Sequence, residues 1–482
     1  MSTVDFHVGA IFRVRPERVA HGGFFVARHH GRVIFVRHGV VGEEATVRIT
    51  GIGPKERFFF ADVIAVESPA PARRDGVWEP ADALVAAQEG RLPVGGMEYA
   101  HLLPAVQREY KREIVREQLI RLGAMDAQNP VLESLIVQEL PGGEYGTRTR
   151  IHYSVTEQGR IGMSPYRSAE VVAVQGCPLE DAAMGQLRLH ELEIPDVARV
   201  DVAVSSTDER TVHFTLRDGV SVASVKDDLL AQCQMLWSDL SGVKPSILCS
   251  AVNRSGGPSQ PVILYGQETL HESFELSGRT YKWEVSSRGF WQNHRWAAQT
   301  LGAAVLEALP SSLKGGTIYD IYAGAGLFTA LAADVVGAKG TVLSVEGSAI
   351  THKNARYNFA VPDGFSRTDR SAKTHIEVRR GDARKVLEST VRQVKAGEFK
   401  APDVVILDPS REGAGRGVIR QIDILAPARV IYIACDPASL GRDTGYLRAL
   451  GWQMVQLSAF DMYPNTHHVE SIAVFEKTHK GE

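Results

Sequence analysis

Cysteine is scarce in this sequence: four in 482 residues, at Cys177, Cys233, Cys249 and Cys435. They are too scattered for a disulfide framework or a Cys-x-x-Cys metal site, and reduced thiols in the cytosol are the natural reading. No apolar run approaches the roughly 20 residues that a membrane-spanning helix needs. The opening MSTVDFHVGAIF lacks a basic region followed by an apolar stretch, so it does not read as a secretory signal. A cytoplasmic protein without a membrane partner is expected, and nothing marks an obligate protein partner. Charge of one sign is not in excess either. A formal net charge of -3 argues against a non-specific polyanion binder. Locally the balance differs, because residues 1–60 carry nine Lys/Arg against five Asp/Glu, with five histidines. An RNA partner, if there is one, would be met by a local surface rather than by a global field.

What is present is an ordinary globular composition, 44% hydrophobic and 23% charged, in a chain long enough for two to four domains. Residues 1–67 read as five short strands (FHVGAIFRV, FFVARH, RVIFVRH, EEATVRIT, FFFADVIAVE) separated by glycine turns, the size of a small closed barrel of the oligonucleotide-binding kind. Arginines alternating with apolar residues would line one face of it, although such a barrel can also serve only as packing. The Pro/Ala/Arg-rich SPAPARRDG looks like a linker. The periodicity of PAVQREYKREIVREQLIRLG predicts a helix whose charged face is solvated or touches phosphates. Residues 75–285 alternate strands and turns as an α+β middle domain. From 286 to 482 strand and helix alternate, which predicts a doubly wound, Rossmann-like α/β domain with ligands at the carboxyl ends of its strands.

In that last segment DIYAGAGLFTALAA places Asp320 at the end of a strand, Gly324 and Gly326 in the turn, and a helix directly after. Glycine permits close approach of backbone to ligand, and Glu346 ends the next strand where an acid accepts hydrogen bonds from ribose hydroxyls. Thr329 stands where a dinucleotide fingerprint has its third glycine, so a nucleoside without pyrophosphate suits the loop better than NAD. A glycine-rich turn can equally be structural. In VIYIACDPASLGRD, Cys435 ends an apolar strand, with Asp436 as the expected cap and Pro437 in the first turn of a helix. A helix N-terminus lowers a thiol's pKa, so a nucleophile is expected there; the alternative is a small hydrophobe in a core.

Five ordered stretches carry a resemblance: Phe290-Trp291-Gln292-Asn293-His294, Asp320-Ile321-Tyr322-Ala323-Gly324, Leu407-Asp408-Pro409-Ser410-Arg411, Cys435-Asp436-Pro437, and Asp461-Met462-Tyr463-Pro464 through Glu470. Their order resembles that of the RNA uridine-5-methyltransferases, which modify transfer or ribosomal RNA, and residues 1–67 look like the TRAM domain of many members. The resemblance implies S-adenosylmethionine as cofactor and structured RNA, ribosomal or transfer, as partner. It implies Cys435 as nucleophile and Glu470 as base. Gln292 would face the target base and cofactor, while Tyr322, Glu346, Asp382 and Asp408 would line the cofactor pocket. A thiolate adding to carbon 6 of uracil makes carbon 5 nucleophilic, and a base then removes the carbon 5 proton.

The sequence departs from the family in places. Many members hold an iron-sulfur cluster through Cys-Gly-Gly-Cys, where this chain has Val94-Gly95-Gly96-Met97, leaving only Cys177 of the ligand set; no cluster is expected. Leu327 and Asp436 stand where asparagines are common. His467 and His468, as neighbours in a strand, would face opposite sides, so no metal site is expected. Three other functions compete. Cytosine-5 methylation generally uses a Pro-Cys nucleophile, and proline precedes no cysteine here. An RNA-binding protein with an inert methyltransferase domain would not need both Cys435 and Glu470. A nicotinamide oxidoreductase is disfavoured by Thr329.

Overall fold

The structure, a computed structural model, describes residues 5–253, 257–360 and 374–477. Strands β1 (Ile11–Val14), β2 (Arg18–Ala20), β3 (Phe24–His29), β4 (Arg32–Arg37), β5 (Glu44–Ile52) and β6 (Phe58–Ser68) make one barrel-like sheet in the order β1-β5-β6-β4-β3-β2. All pairs are antiparallel except β4 with β6. Period-2 alternation sends Phe25, Ala27, Ile34, Val36, Phe59, Ala61 and Val63 to a core that also takes Tyr99, Leu102, Tyr110 and Ile114 from beyond the sheet. The sheet has one strand more than expected, the short β2. Its first strand starts at Ile11 rather than Phe6, because Gly9 turns the chain at φ +96°.

Strand β7 (Val137–Glu139) leaves for the last sheet. Strands β8 (Arg150–Val155), β9 (Ile161–Met163), β10 (Val172–Ala173), β11 (Val197–Val204), β12 (Arg210–Leu216), β13 (Ser246–Ser250) and β14 (Val262–Tyr265) form a sheet in the order β10-β9-β8-β11-β12-β13-β14. Helix Val222–Leu236 covers it through Leu229 and Cys233. Val94, Met97 and Cys177 all lie in this apolar core. Hairpin β15 (Thr269–Leu276) and β16 (Arg279–Ser286) leads into the final domain.

There, β17 (Thr317–Ile321), β18 (Thr341–Glu346), β19 (His375–Arg380), β20 (Val404–Leu407), β21 (Arg429–Ala434), β22 (Trp452–Asp461) and β23 (Glu470–Lys477) give the order β19-β18-β17-β20-β21-β23-β22-β7. The first five run parallel and β23 is antiparallel to both its neighbours. Both faces are covered. Ile318, Val342, Val404, Ile406, Ile431 and Ile433 point to one apolar layer, and Tyr319, Ile321, Leu343, Val405, Leu407 and Tyr432 to the other. That two-sided burial is why these strands read as continuous apolar runs.

The stretch expected to be a linker is firmly tied. Arg73 donates to Glu43 and to the His38 carbonyl, and Arg74 to Glu144 and Asn465. Helix Pro104–Arg121 starts on its proline, as expected, but its polar face is not simply solvated: Lys111 is fully buried and donates to Asp461 at 2.5 Å. No helix among the described residues is long and apolar enough to cross a membrane.

Candidate active site

The carboxyl ends of β17, β18, β20 and β21 and the head of β23 surround a cavity of about 510 Å³. Gln292, Tyr322, Gly324, Glu346, Asp408, Cys435 and Glu470 all line it. Gly326 and Asp382 do not; each stands at the start of a helix instead. Gly326 caps helix Leu327–Val336 at φ +97°, where a Cβ would lie 2.3 Å from the Phe359 ring. Only glycine fits there. Asp382 caps the helix Ala383–Lys395 by accepting from the Lys385 amide, and it is exposed. Its charge, after burial, helps push the Tyr322 phenol up to about 12.

The acidic side of the cavity is built by the backbone. Gly324 N–H donates to Glu346 Oε2 at 2.8 Å and Ser348 N–H to Oε1 at 2.6 Å, which fixes the Glu346 carboxylate at the rim of the glycine turn. Tyr322 takes a left-handed φ of +68° to turn the chain off β17. Asp320 does not line the cavity; it is fully buried, accepts from Thr329 Oγ1 at 2.5 Å, and leaves Oδ1 unpartnered among the described residues. Thr329 thus braces the strand-to-helix turn from within. Burial and the Glu346 charge push Asp320 up to about 7, against the hydrogen bond from Thr329.

Cys435, Asp408 and Glu470 form the reactive corner. Asp436 caps helix Pro437–Ala449 by accepting from the Ser439 amide at 2.7 Å, so the thiol sits beside a helix N-terminus as expected. The expected lowering of its pKa is not found. Burial first, then the charges of Glu470 and Asp408, push Cys435 up to about 12, with Arg411 opposing them. Loss of hydration and two acidic neighbours outweigh one helix end. The same crowding acts on the acids: burial, then Asp320 and Glu346, push Asp408 up to about 8, and burial with Asp408 raises Glu470 well above the carboxylate range. Glu470 is 4% exposed, not the solvated carboxylate that a strand head could carry.

The match to known proteins covers nearly all of the chain. A family model described as tRNA (uracil-5-)-methyltransferase matches residues 244–478, and a TRAM domain model matches residues 5–64. An RNA methyltransferase of Streptomyces avermitilis is 33% identical over 98% of this chain and 100% of its own length. The chain belongs to the RNA uracil-5-methyltransferase family. These enzymes depend on S-adenosylmethionine. The 23S rRNA (uracil(1939)-C(5))-methyltransferase of Shewanella denitrificans is 24% identical over 95% of this chain and 94% of its own. The fold is that of the Pyrococcus abyssi tRNA (uracil-54, C5)-methyltransferase bound to S-adenosyl-L-homocysteine, with TM-score 0.64, 19% identity, and 96% and 99% of the two chains covered.

For this methyltransferase the residues fit the cofactor: a glycine turn, a carboxylate held at the end of β18 and an opening of about 510 Å³ form a cradle for a nucleoside. They do not fit an iron-sulfur cluster, because Val94, Met97 and Cys177 fill one apolar core with a single thiol between them. Arg411 and Tyr463, quoted in the motifs without a role, line the cavity with His468. Arg411 donates to His468 Nε2 at 3.2 Å, and Tyr463 stands edge-on to the same ring. The histidine pair corrects the sequence reading. His467 and His468 lie in the loop before β23, not in a strand, and their rings approach to 4.0 Å. Together with Glu98 they form a group whose ligand atoms lie within 4.8 Å of one another. Each has a partner already, Glu98 for His467 and Arg411 for His468, and a cation beside Arg411 would be repelled.

Proposed function

We propose that the chain methylates carbon 5 of a uridine in ribosomal or transfer RNA, with Cys435 as nucleophile and Glu470 as the base. The observation that carries this reading is a single cavity lined by Cys435, Glu470, Asp408 and the glycine turn. Gln292 faces the base and the cofactor; Tyr322, Gly324, Glu346 and Asp408 hold the cofactor, with Asp382 outside the cavity lining. When bound, S-adenosylmethionine supplies an electrophilic methyl group. Cys435 adds to carbon 6 and raises the electron density at carbon 5. After transfer, Glu470 takes the carbon 5 proton, and the sulfur leaves as the double bond reforms. A raised pKa suits Glu470 to this task, since burial makes it a stronger base than an exposed carboxylate.

An RNA strand has a path to this cavity. A groove of about 950 Å³ along β8, β11 and β12 shares Arg288, Phe290, Trp291 and Asn293 with it, and it carries Arg148, Arg150 and Arg199 against Asp201. Phe290, 58% exposed, offers a stacking face where a base leaves its neighbours.

Glu470→Gln tests the assignment. Addition of Cys435 and methyl transfer do not need that carboxylate, whereas proton removal should slow by roughly 10²–10⁴-fold. The variant, incubated with substrate RNA and S-adenosylmethionine, should give a denaturation-resistant protein-RNA band that Cys435→Ala abolishes. Normal turnover with no trapped band would assign the proton to another group.

A further inference from the structure

One loop of the N-terminal sheet, His21-Gly22-Gly23 between β2 and β3, reaches both sides of the reactive corner. His21 Nε2 lies 2.8 Å from Oδ2 of Asp436, the residue after Cys435. Gly23 packs on His467, three residues before Glu470, so closely that a Cβ there would lie 3.0 Å from His467 Nδ1. The part of the chain matched by the TRAM model therefore touches the neighbours of the nucleophile and of the base.

We propose that His21 is a positioning residue for Cys435, acting through Asp436, so that the N-terminal sheet belongs to the catalytic apparatus as well as to the RNA-binding surface. The proposal rests on Cys435 being the nucleophile. Asp436 stays ionised: despite its burial, hydrogen bonds from His21 and from the Ser439 amide hold it below the ordinary carboxylate range. A nitrogen 2.8 Å from an ionised carboxylate oxygen carries the proton, so His21 donates. The two oxygens are thus divided, Oδ1 to Ser439 N–H at 2.7 Å and Oδ2 to His21. The carboxylate is clamped along the helix N-terminus.

This matters because the thiol already faces Glu470, Asp408 and Asp436, with Arg411 the cation that opposes them. An Asp436 oxygen that has lost its donor is no longer held along the helix N-terminus, adds to that negative field and disfavours the thiolate. The residue after Cys435 is an acid, and that acid has a donor from another domain. The residues are partly exposed, with side-chain accessibilities of 35% for His21 and 22% for Asp436, so their substitution leaves the core intact.

The test uses the full chain and reads thiol reactivity separately from turnover. Alkylation of Cys435 by iodoacetamide, followed by peptide mass spectrometry across pH, should be up to about ten-fold slower near neutrality in His21→Ala, the effect of up to one pKa unit. The turnover number should fall in parallel, with KM for RNA and the affinity for S-adenosylmethionine changed by less than about two-fold. His21→Gln, which can donate to the same oxygen, should recover most of both. In an Asp436→Asn background His21→Ala should have no further effect, the coupling expected of a pair acting as one unit. Wild-type alkylation and turnover in His21→Ala, or a loss confined to KM for RNA, would overturn the proposal and leave the loop as a docking contact. The reading it rests on fails by a different sign: no covalent complex between the wild-type enzyme and RNA carrying 5-fluorouridine.

Discussion

Asp408 and Glu470 crowd one thiol, Asp320 acts on Asp408 from behind, and none of the three has a basic partner that outweighs its burial. In the ligand-free protein burial and mutual repulsion favour the protonated carboxyls, so Glu470 must release its own proton before it can take the one on carbon 5. Asp408 in the folded chain is pushed up to about 8, far above an unfolded aspartate. A raised folded pKa contributes stability that is full below the unfolded value and is lost as pH rises through the folded one. Wild-type protein therefore loses this contribution progressively from about pH 4 to about pH 8. Asp408→Asn cannot ionise. Its melting temperature relative to wild type should accordingly be a few degrees more favourable near pH 8.5 than near pH 5, measured by calorimetry without ligand. A difference that does not change with pH would mean that Asp408 is ionised throughout and that the groups around it balance its charge.

At the scale of elements, the loop between β22 and β23 decides where the base stands. Asn465, at φ +64°, accepts from Arg74 and Gln107 through its side-chain oxygen, and it donates to the Glu144 carbonyl and to the Gln107 amide oxygen. Lys111 reaches the same loop through Asp461 and the Tyr463 carbonyl. Lys111→Met should cost about 3–5 kcal/mol, because it leaves Asp461 buried without a counter-charge. Urea denaturation would read the loss, and an unchanged midpoint would show that the carboxylate finds water instead. None of this is legible in the sequence. The alternating apolar runs do mark all seven C-terminal strands, and the motif residues Cys435, Glu470 and Gln292 fall on one cavity, since local pattern reports burial and spacing. Lys111 looks like one charge on a solvated face because its partner lies 350 positions away. His467 and His468 read as opposite faces of a strand that begins only at Glu470. Strand β7 is three residues long, too short for any periodic signal. The thiol's pKa escapes the sequence for the same reason: the helix end is local, whereas the acids that outweigh it come from the ends of β20 and β23.

For the whole molecule the question is what the N-terminal sheet contributes to RNA. Removing it is a poor test, since its core is shared with Tyr99, Leu102, Tyr110 and Ile114, and its loss would strip helix Pro104–Arg121 of its apolar cover. Charge offers a cleaner one. Arg32, Lys55 and Arg57 stand exposed at one end of the sheet, where Val33 pairs with Phe58 and Arg32 bonds the Glu56 carbonyl. Beside them Phe35, Phe58 and Phe60 pack against one another, with Arg167 over Phe60. Cations flanking aromatic rings suit a single-stranded segment, whose phosphates and bases they meet separately. Arg32→Ser, Lys55→Ser and Arg57→Ser together should lower the slope of log affinity against log salt by about two, as expected when up to three phosphate contacts are lost. Affinity for S-adenosylmethionine and the alkylation rate of Cys435 should not move, because these residues lie away from the His21 loop. A salt slope equal to that of the wild type would place the RNA elsewhere, along the arginine groove of β8, β11 and β12, and leave the N-terminal sheet its contact with Asp436 alone.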